Sequence, residues 1–446
     1  MIRHLYSICM WLAQPFLRRK LQKRGAVEPG YLETIDERFG HYDNARLPEG
    51  EGYLWVHAVS LGETRAAAPL IAALRQQRPS MHLLLTHGTA TGRAEGLTLL
   101  TSGDVQVWQP WDTPGAVQRF LTRFKPRIGV LIETEVWPNL AAACVQARVP
   151  LVLANARLSD KSLRQARRLA WLARPAYRAL TAAWAQTAGD AQRLQKLGAP
   201  VAGVFGNIKF DAEPQPVPLA LGLQWRRTWR ETTARPVLML ASSREGEEAL
   251  LLHVLRSNQA QAPVESSQVA IESGAESSSV PEVQWLIVPR HPQRFDDVAA
   301  LLVNQGFGVS RRSRWQAGPP ADLPANTVWL GDSLGEMALY YGLADAALLG
   351  GSFEPLGGQN LIEAAACGCP VVMGPHTFNF SEAAELAQAA GAAIQVNTLA
   401  QAVAVAQTLV RKPETHAEMA LAASRFALAH RGAVGKTATA LAALLR

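Results

Sequence analysis

The chain has 446 residues, of which 48% are hydrophobic and 18% are charged, a composition that excludes a disordered or fibrous protein and suits two or three globular domains. The formal net charge is +7, yet six basic residues and no acidic residue lie within residues 1–24, so the rest of the chain is almost neutral. Because the charge is confined to one end and no nucleic-acid-binding motif accompanies it, we expect no nucleic-acid partner.

The first 30 residues combine an apolar run with a basic patch. The apolar run covers residues 5–17, and the basic patch follows at residues 18–24. The run is shorter than the roughly 20 residues that a membrane-spanning helix needs, and no small-residue cleavage site follows it. An apolar anchor with a cationic flank suits the anionic inner face of a membrane. We therefore predict that residues 1–30 attach the protein to anionic membrane lipids, with an ordinary N-terminal helix packed on the protein as the alternative.

Short apolar runs alternate with helical patterns from residue 53 onward, an order typical of parallel sheets covered by helices on both faces. The predicted strands of the first half are residues 53–59, 82–86, 105–108, 128–132, 151–154, 183–186 and 201–205. The predicted strands of the second half are residues 237–240, 285–288, 327–330, 346–349 and 370–373. Two such series predict two Rossmann-like domains, with ligands bound in a cleft between them, beyond the carboxyl ends of the strands.

Two breaks in this rhythm define the predicted domain organisation. The proline-bearing residues 212–218 predict a linker between a first domain, residues 31–211, and a second domain, residues 219–430. A final helix is expected at residues 431–446. Residues 257–283 are rich in Ser, Gln, Glu and Ala and carry too few large apolar side chains to build a core, so we predict a disordered insertion there.

The same tetrapeptide, Ser-Leu-Gly-Glu, follows a strand in each half, at residues 60–63 and 333–336. Ser-x-x-Glu is the pattern of a capping box, which satisfies free backbone amides at the start of a helix. A carboxylate in the position of Glu63, beyond the first strand, could instead take a proton from an attacking hydroxyl group. The spacing leaves both roles open for Glu63.

The first half carries two further charged motifs. Glu133 and Glu135 place two carboxylates on one short turn after the fourth strand. Part of this motif is explained by a helix start, since acidic residues stabilise the positive end of the helix that follows. Farther along, four arginines recur at helical spacing, namely Arg164, Arg167, Arg174 and Arg178. This pattern predicts either a solvated cationic face or a docking face for an anionic ligand held at a membrane.

The second half carries a glycine-rich loop, residues 350–360, between a buried strand and a helix. Glycines let the backbone approach a ligand closely, and the start of a helix favours a phosphate. The loop lacks the Gly-Lys-Ser/Thr ending of an ATPase P-loop. Asn360 and Glu363 fit a helix cap, and Glu363 could instead hold the ribose hydroxyls of a nucleotide.

Residues that could bind an anion also lie at the ends of two strands that precede this loop in the chain. Arg290 offers a permanent forked cation for a phosphate or carboxylate, and His291 can add a donor. Ser242 and Ser243 lie at the end of the strand that comes before Arg290 and His291 in the chain. The alternative for the first pair is a surface loop stiffened by the prolines at both of its ends.

Several motifs are missing from the sequence, and their absence narrows the chemistry. There is no Asp-x-Asp, no His-Glu-x-x-His and no C-x-x-C pair among the four cysteines. Free thiols are therefore the expected state of the cysteines. We expect neither a metal site nor a cofactor.

Taken together, these motifs resemble the 3-deoxy-D-manno-octulosonic acid (Kdo) transferases of Gram-negative bacteria, a family of inverting, metal-independent GT-B glycosyltransferases. The order and spacing of the motifs agree from the N-terminal segment to about residue 412. The motifs that carry the resemblance are residues 57–63, 133–139, 155–162, 206–211, 289–292, 331–336 and 357–363, then Gly374-Pro375 with Asn379-Phe380. Gln359 and Ala364 depart from the family pattern.

The resemblance implies CMP-Kdo as the donor, the lipid A precursor as the acceptor, and lipopolysaccharide biosynthesis at the cytoplasmic face of the cell inner membrane. It makes Glu63 the general base that deprotonates the acceptor hydroxyl group. The residues assigned to donor binding are Ser242, Ser243, Arg290, His291, Gly335, Glu336, Gly357, Gly358, Asn360 and Glu363. The residues assigned to the acceptor or the cleft, without a step in the reaction, are Glu133, Glu135 and Lys209.

Two other functions suit the same architecture. A nucleotide-sugar epimerase would bind a similar donor, but it would have no use for a basic, apolar N-terminus. In a non-catalytic, membrane-associated nucleotide-sugar-binding protein, Glu63 would only cap its helix. Turnover of a lipid acceptor distinguishes the transferase from both.

Overall fold

The computed structural model describes residues 2–43, 52–211, 213–261 and 283–445. The chain forms two compact units, one made of Met1–Ala212 with His430–Arg446 and the other of Glu213–Ala429. Each unit contains a seven-stranded sheet, and all paired strands are parallel. The predicted α/β fold with two parallel sheets is confirmed.

The first sheet has its chain-order strands arranged as β3-β2-β1-β4-β5-β6-β7. These strands are β1 (Tyr53–His57), β2 (His82–His87), β3 (Val105–Trp108), β4 (Ile128–Ile132), β5 (Leu151–Ala156), β6 (Ala182–Ala185) and β7 (Val201–Val204). Every residue of β1, β4 and β5 is buried, because helices cover both faces of a parallel sheet. Since β1 and β4 are neighbours, the turns that follow them lie side by side.

The helices of the first unit that precede or connect these strands are mostly short. They are α1 (Ile2–Leu12), α2 (Gln14–Gly25), α3 (Leu61–Gln77), α4 (Ala90–Leu97), α5 (Pro114–Phe124), α6 (Pro138–Gln146), α7 (Asp160–Arg168), α8 (Ala170–Arg178) and α9 (Ala188–Leu197). Side chains that accept a backbone N–H begin α3, α4, α7 and α9, from Ser60, Thr89, Ser159 and Thr187. Hydroxyl caps of this kind stabilise the start of a helix by about 1 kcal/mol.

The second sheet has the order β10-β11-β9-β8-β12-β13-β14. Its strands are β8 (Val237–Ser243), β9 (Gln284–Pro289), β10 (Gly308–Arg311), β11 (Thr327–Leu330), β12 (Ala346–Leu349), β13 (Val371–Met373) and β14 (Ala393–Gln395). The helices of this unit are α10 (Pro216–Thr233), α11 (Glu247–Gln261), α12 (Phe295–Asn304), α13 (Met337–Leu343), α14 (Leu361–Ala366), α15 (Ser381–Ala389), α16 (Leu399–Val410) and α17 (Pro413–Ala429). The turns after the central pair, β8 and β12, therefore lie side by side here as well.

The C-terminal helix α18 (Ala433–Leu444) belongs to the first unit. Ala438 and Leu441 are fully buried in the core cluster that also contains Leu70 of α3. The carboxylate of Asp211 accepts backbone N–H groups of Gly432 and Val434 and so holds the start of α18. The helix predicted at residues 431–446 is thus part of the first unit. Helix α10 begins at Pro216, within the residues 212–218 that were predicted as a linker.

The N-terminal helix α1 lies against the first unit by one face. The hydroxyl group of Ser7 donates to Oδ1 of Asn139 at 3.0 Å, and the phenol of Tyr6 is hydrogen-bonded to Asp112. The opposite face exposes large apolar side chains, including Leu5 (61% exposed) and Trp11 (65%). Within the described part of the chain, no helix combines the length and apolar character that crossing a membrane requires.

The segment expected to be an insertion, residues 257–283, overlaps the end of α11, which extends to Gln261. Residues 262–282 lie outside the described residues. The chain resumes at Val283, directly before β9.

Candidate active site

Glu63 lies in the first turn of α3, after β1, with its carboxylate turned back toward the turn that precedes the helix. Its Oε2 accepts the backbone N–H of Val59 at 2.7 Å, and its Oε1 accepts the hydroxyl group of Ser60 at 3.1 Å. Ser60 Oγ accepts the N–H of Glu63 in return at 3.4 Å. Ser60 therefore caps α3 as in a capping box, but Glu63 accepts the backbone N–H of Val59, one residue before the N-cap, where a standard box uses the N–H of the N-cap itself.

The turn that carries Val59 is itself held by the end of β2. The backbone N–H groups of Gly88 and Thr89 both donate to the carbonyl oxygen of Val59, at 3.1 and 3.0 Å. Nδ1 of His87 lies 2.8 Å from the carbonyl oxygen of Ala58. Burial lowers the pKa of His87 to about 4, so this histidine is neutral near pH 7 and serves as a fixed hydrogen-bonding group. The N–H that faces Glu63 is thereby kept in one place.

Burial raises the pKa of Glu63 from its ordinary value to about 7. The Val59 N–H opposes this shift, and the nearby carboxylates of Glu133 and Glu135 add to it. A carboxyl group with a pKa near the working pH is half ionised there, and it can therefore take up or release a proton readily.

Glu133, on the turn after β4, forms an ion pair with Lys209. Nζ of Lys209 lies 2.8 Å from Oε1 of Glu133, and both side chains are largely buried. Lys209 comes from the short 3₁₀ helix Ile208–Asp211 after β7. This pair neutralises part of the negative charge beside Glu63.

The neighbouring carboxylate of Glu135 accepts the indole N–H of Trp137 at 2.8 Å, and burial raises its pKa. The backbone around this turn is strained, because Glu133 (φ 67°) and Asn155 (φ 52°) adopt the left-handed conformation that side chains disfavour. Oδ1 of Asn155 accepts the N–H of Ile208 at 3.1 Å, which joins the end of β5 to the segment that carries Lys209. Such strain concentrates at functional sites. The structure thus brings together four predicted residues of the first unit, Glu63, Glu133, Glu135 and Lys209.

In the second unit, β8 ends in a bulge at Ser242, which also has a left-handed backbone (φ 53°). Its hydroxyl oxygen lies 4.0 Å from the sulfur of Met337. Ser243 is fully buried, and its hydroxyl group donates to Oε1 of Glu248 at 2.6 Å. The side chain of Ser243 therefore supports the turn from inside, whereas Ser242 is only partly buried.

Arg290 and His291 follow β9, and the N–H of Arg290 donates to the carbonyl oxygen of Ser243 at 3.0 Å. The pKa of His291 is lowered by partial burial and by the positive charges of Arg244, Arg290 and Arg294. Three guanidinium groups therefore lie near one imidazole at the carboxyl ends of β8 and β9. A cluster of like charges is favourable only when anions compensate it. Glu245 and Glu248 supply part of that compensation.

The glycine-rich loop after β12 packs against the end of β8. A side chain at Gly350 would place its Cβ 2.4 Å from the carbonyl oxygen of Ser242, so only glycine fits there. Gly357 and Gly358 are buried and have left-handed backbones, with φ of 90° and 74°. The N–H of Gly358 donates to the carbonyl oxygen of Gly351 at 2.7 Å.

Asn360 is the N-cap of α14, and its Oδ1 accepts the N–H of Ile362 at 3.1 Å. Its Nδ2 donates to Oε1 of Glu363 at 3.2 Å, and Glu363 is exposed. The negative charge of Glu363 raises, and the positive charge of Arg290 lowers, the pKa of the buried Tyr341 phenol. Arg290 and Glu363 therefore both lie near Tyr341, beyond the carboxyl ends of the strands of the second sheet.

The second copy of the tetrapeptide is built differently. Here the helix, α13, begins only at Met337, after Glu336. Oε1 of Glu336 accepts a guanidinium N–H of Arg312 at 2.8 Å, and its Oε2 accepts the hydroxyl group of Ser333. Gly335 has a left-handed backbone (φ 76°) with open space around it. The predicted residues Gly335 and Glu336 thus lie on a turn beside Ser242, and Glu336 is already paired with a cation.

Sequence patterns alone missed two buried carboxylates of this unit, Glu247 and Glu248. Both are fully buried at the start of α11. Glu248 forms a two-pronged pair with Arg294, at 2.7 and 3.0 Å. Acids in the first turn of a helix ordinarily face solvent, and the only signal was their position directly after a buried strand.

In the part of the chain that the structure describes, no group of three or more His, Cys, Asp and Glu side chains is arranged to hold a metal ion.

A family model described as 3-Deoxy-D-manno-octulosonic-acid transferase (kdotransferase) matches residues 33–212. A 3-deoxy-D-manno-octulosonic acid transferase of Bordetella pertussis is 43% identical over 446 residues, which cover 98% of this chain and 98% of that protein.

Two solved structures are similar to this chain in fold. The UDP-GlcNAc 2-epimerase from Neisseria meningitidis bound to UDP-GlcNAc has a TM-score of 0.53 and 16% identity, covering 88% of this chain and 99% of the epimerase. A glycosyltransferase from Rickettsia africae ESF-5 has a TM-score of 0.53 and 12% identity, covering 89% and 99%. One fold thus serves both an epimerase and a transferase, so the fold does not decide between them. The sequence similarity over the whole chain decides in favour of the transferase. The chain belongs to the 3-deoxy-D-manno-octulosonic acid (Kdo) transferase family of glycosyltransferases.

Proposed function

We propose that the protein transfers Kdo from CMP-Kdo to the lipid A precursor in lipopolysaccharide core biosynthesis, with Glu63 as the general base. Family membership supports the transferred sugar. The observation that carries the mechanism is the partly buried Glu63 carboxyl, whose pKa burial raises to about 7. A general base works best when its pKa lies near the operating pH.

The capping contacts of Glu63 leave room for this role. An ionised carboxylate has about four lone-pair positions, and the Val59 N–H and the Ser60 hydroxyl group occupy two of them. A further position can accept the proton of the acceptor hydroxyl group without breaking the cap. The two donors also fix the carboxylate in one orientation, which is what a base must have before the substrate arrives.

The reaction then proceeds in one displacement at the anomeric carbon of Kdo. The acceptor oxygen loses its proton to Glu63 and forms a bond to that carbon, while the bond to the CMP phosphate breaks and the bonding electrons leave with the phosphate. The configuration at the anomeric carbon is inverted. Lys209 keeps the charge of Glu133 partly neutralised, which prevents the pKa of Glu63 from rising further.

The cationic groups around His291 are suited to the donor. CMP-Kdo carries a phosphate and a carboxylate, and the developing charge on the leaving phosphate calls for fixed positive groups. Arg290 is the candidate for this contact because of its position: it directly follows β9, and its backbone N–H donates to the carbonyl oxygen of Ser243 at 3.0 Å, at the carboxyl ends of β8 and β9. Gly357 and Gly358 would bring backbone close to the nucleotide, and Glu363 would accept hydrogen bonds from the ribose.

Transfer from CMP-Kdo to lipid A precursor is the direct test. The protein in detergent, with EDTA present and the donor generated in situ, is expected to yield a product heavier by one or more Kdo units on mass analysis. Conversion of a soluble nucleotide sugar without any lipid acceptor would instead favour the epimerase. Tight CMP binding without turnover on any lipid would favour the binding protein.

We further propose that α1 and α2 hold the enzyme on the cytoplasmic face of the inner membrane. The exposed apolar side chains of α1 lie on one helix face, at Leu5, Ile8 and Leu12 with Trp11 beside them. The six basic residues of residues 1–24, unaccompanied by acids, suit anionic headgroups. This geometry fits a helix that lies in the membrane interface.

Replacing Leu5, Trp11 and Leu12 together by Ser is expected to weaken binding to vesicles that contain phosphatidylglycerol by at least roughly 100-fold, because burying one large apolar side chain contributes about 1.5–3 kcal/mol. Co-sedimentation measures the loss. The matched control is Leu97→Ser together with Leu428→Ser, which changes exposed leucines elsewhere. Equal vesicle binding by the triple variant and wild type would contradict the proposal.

A further inference from the structure

Glu247 joins two loops that are far apart in the sequence. Its Oε2 accepts the backbone N–H of Arg244 at 2.9 Å and that of Gly351 at 2.7 Å, and its Oε1 accepts the N–H of Phe353 at 3.2 Å. The first donor lies on the turn after β8, and the other two lie on the glycine-rich loop after β12. One carboxylate thus fixes the distance between these two loops.

The same contacts extend to the part of the glycine-rich loop that precedes α14. Gly351, whose N–H binds Glu247, accepts the N–H of Gly358 through its carbonyl oxygen at 2.7 Å. Gly350 donates its N–H to the carbonyl oxygen of Ala241 at 2.9 Å, so the loop is also tied to the end of β8 directly before Gly351. A displacement of the Glu247 carboxylate would therefore move Gly358 as well as Arg244.

The charge environment of Glu247 is unusual for a carboxylate that only stabilises a fold. The side chain is fully buried, and its hydrogen bonds among the described residues come from backbone amides alone. The adjacent Glu248 is equally buried but is paired with the guanidinium of Arg294. Burying an ionised group without a counter-charge is costly, and burial indeed raises the pKa of Glu247. Proteins retain such groups mainly where function requires them.

We propose that Glu247 is a positioning residue for the donor. By holding the turn Ser242–Arg244 against the glycine-rich loop, it sets the place of the backbone and side-chain groups that bind the cytidine nucleotide. This inference rests on the proposed function, because it takes these two loops to be the nucleotide-binding groups. Glu247 itself need not touch the donor, since it acts through Arg244, Gly351 and Phe353.

Glu247→Gln tests the inference with full-length protein in detergent. An amide keeps one acceptor oxygen, which in the place of Oε2 still accepts the N–H groups of Arg244 and Gly351. Its NH₂ group then faces the N–H of Phe353, donor against donor, which displaces the glycine-rich loop. We expect the Kd for CMP and the KM for the donor to rise by roughly 10- to 100-fold, as small misplacements in a binding site do. The KM for the acceptor should stay unchanged. Glu247→Asp, which keeps the charge but shortens the reach, should recover part of the CMP affinity.

Glu231→Gln is the matched control, because it makes the same chemical change on an exposed side chain of α10 in the same unit. A folded Glu247→Gln protein that binds CMP as wild type does would overturn the inference and leave the proposed function standing. Failure of wild type to bind CMP would overturn both. If Glu247→Gln does not unfold cooperatively on heating, the Asp variant decides: wild-type CMP affinity in folded Glu247→Asp also overturns the positioning role.

Discussion

Glu63→Gln is expected to lower the rate of Kdo transfer by roughly 100- to 10,000-fold, the usual contribution of a general base, while CMP binding and the unfolding temperature are preserved. The amide is nearly the same size as the carboxyl group. Its oxygen can accept the Val59 N–H and its NH₂ group can donate to Ser60 Oγ, so the cap that the carboxylate now makes survives. Glu414→Gln, which changes an exposed acid in the first turn of α17, should leave the rate unchanged.

The pH dependence of the wild-type enzyme separates a base from a cap. A base acts when it is deprotonated, and burial raises the pKa of Glu63 to about 7. The ratio kcat/KM for the acceptor should therefore fall about tenfold for each pH unit below 7 and reach a plateau above it. The residual activity of Glu63→Gln should lack this slope. Near-normal turnover of the Gln variant would remove Glu63 from the mechanism and leave it as a helix cap.

Arg290→Ala is expected to lower kcat/KM for the donor by roughly 100- to 1,000-fold, the loss typical of removing one group that stabilises a developing anion. Part of this loss should lie in kcat, because the phosphate gains charge as the sugar leaves. Arg290→Lys should recover only part of the rate, since an ammonium group supplies the charge without the planar fork.

Arg411→Ala, at the exposed end of α16, is the control for removing a positive charge from the same unit. Steady-state kinetics with the donor varied, together with calorimetric titration of CMP, measures both effects of the Arg290 change. An unchanged donor KM and an unchanged kcat in Arg290→Ala would exclude this arginine from the leaving-group contact.

Much of the fold could be predicted because buried parallel strands have a distinct sequence pattern. The strands 105–108, 128–132, 327–330 and 346–349 were predicted with the bounds that the structure shows. Two strands were missed, β10 and β14, which lie at the edges of the second sheet. Neither is fully buried, so neither needs a continuous apolar run. Sequence position also could not show that α18 returns to the first unit, since that depends on which surface its apolar face covers.

Residues of the candidate site could be predicted where a motif marks the end of a strand. They could not be predicted where contacts between distant parts of the chain fix their positions. The tetrapeptide that contains Glu63 occurs twice and left the role of Glu63 open, and it was the family resemblance that indicated a general base. Only the structure shows that the two copies differ. The first copy caps α3, and in the second copy Glu336 binds Arg312. Two partners of Glu247, Gly351 and Phe353, lie more than a hundred residues away in the chain, and no local pattern indicates them. Their pairing depends on β8 and β12 being neighbours in the sheet.

The way the chain leaves the first unit and returns to it has a consequence for biosynthesis. Leu70 of α3, the helix that carries Glu63, shares a core with Leu441 of α18, and the whole second unit is synthesised between them. At about 5–20 residues per second, the apolar side of α3 leaves the ribosome some twenty seconds or more before the helix that covers it. Throughout that interval the nascent first unit presents an uncovered hydrophobic surface. Ribosome-bound chaperones would have a binding site there, and the helix that carries Glu63 would be among the last parts of the protein to mature.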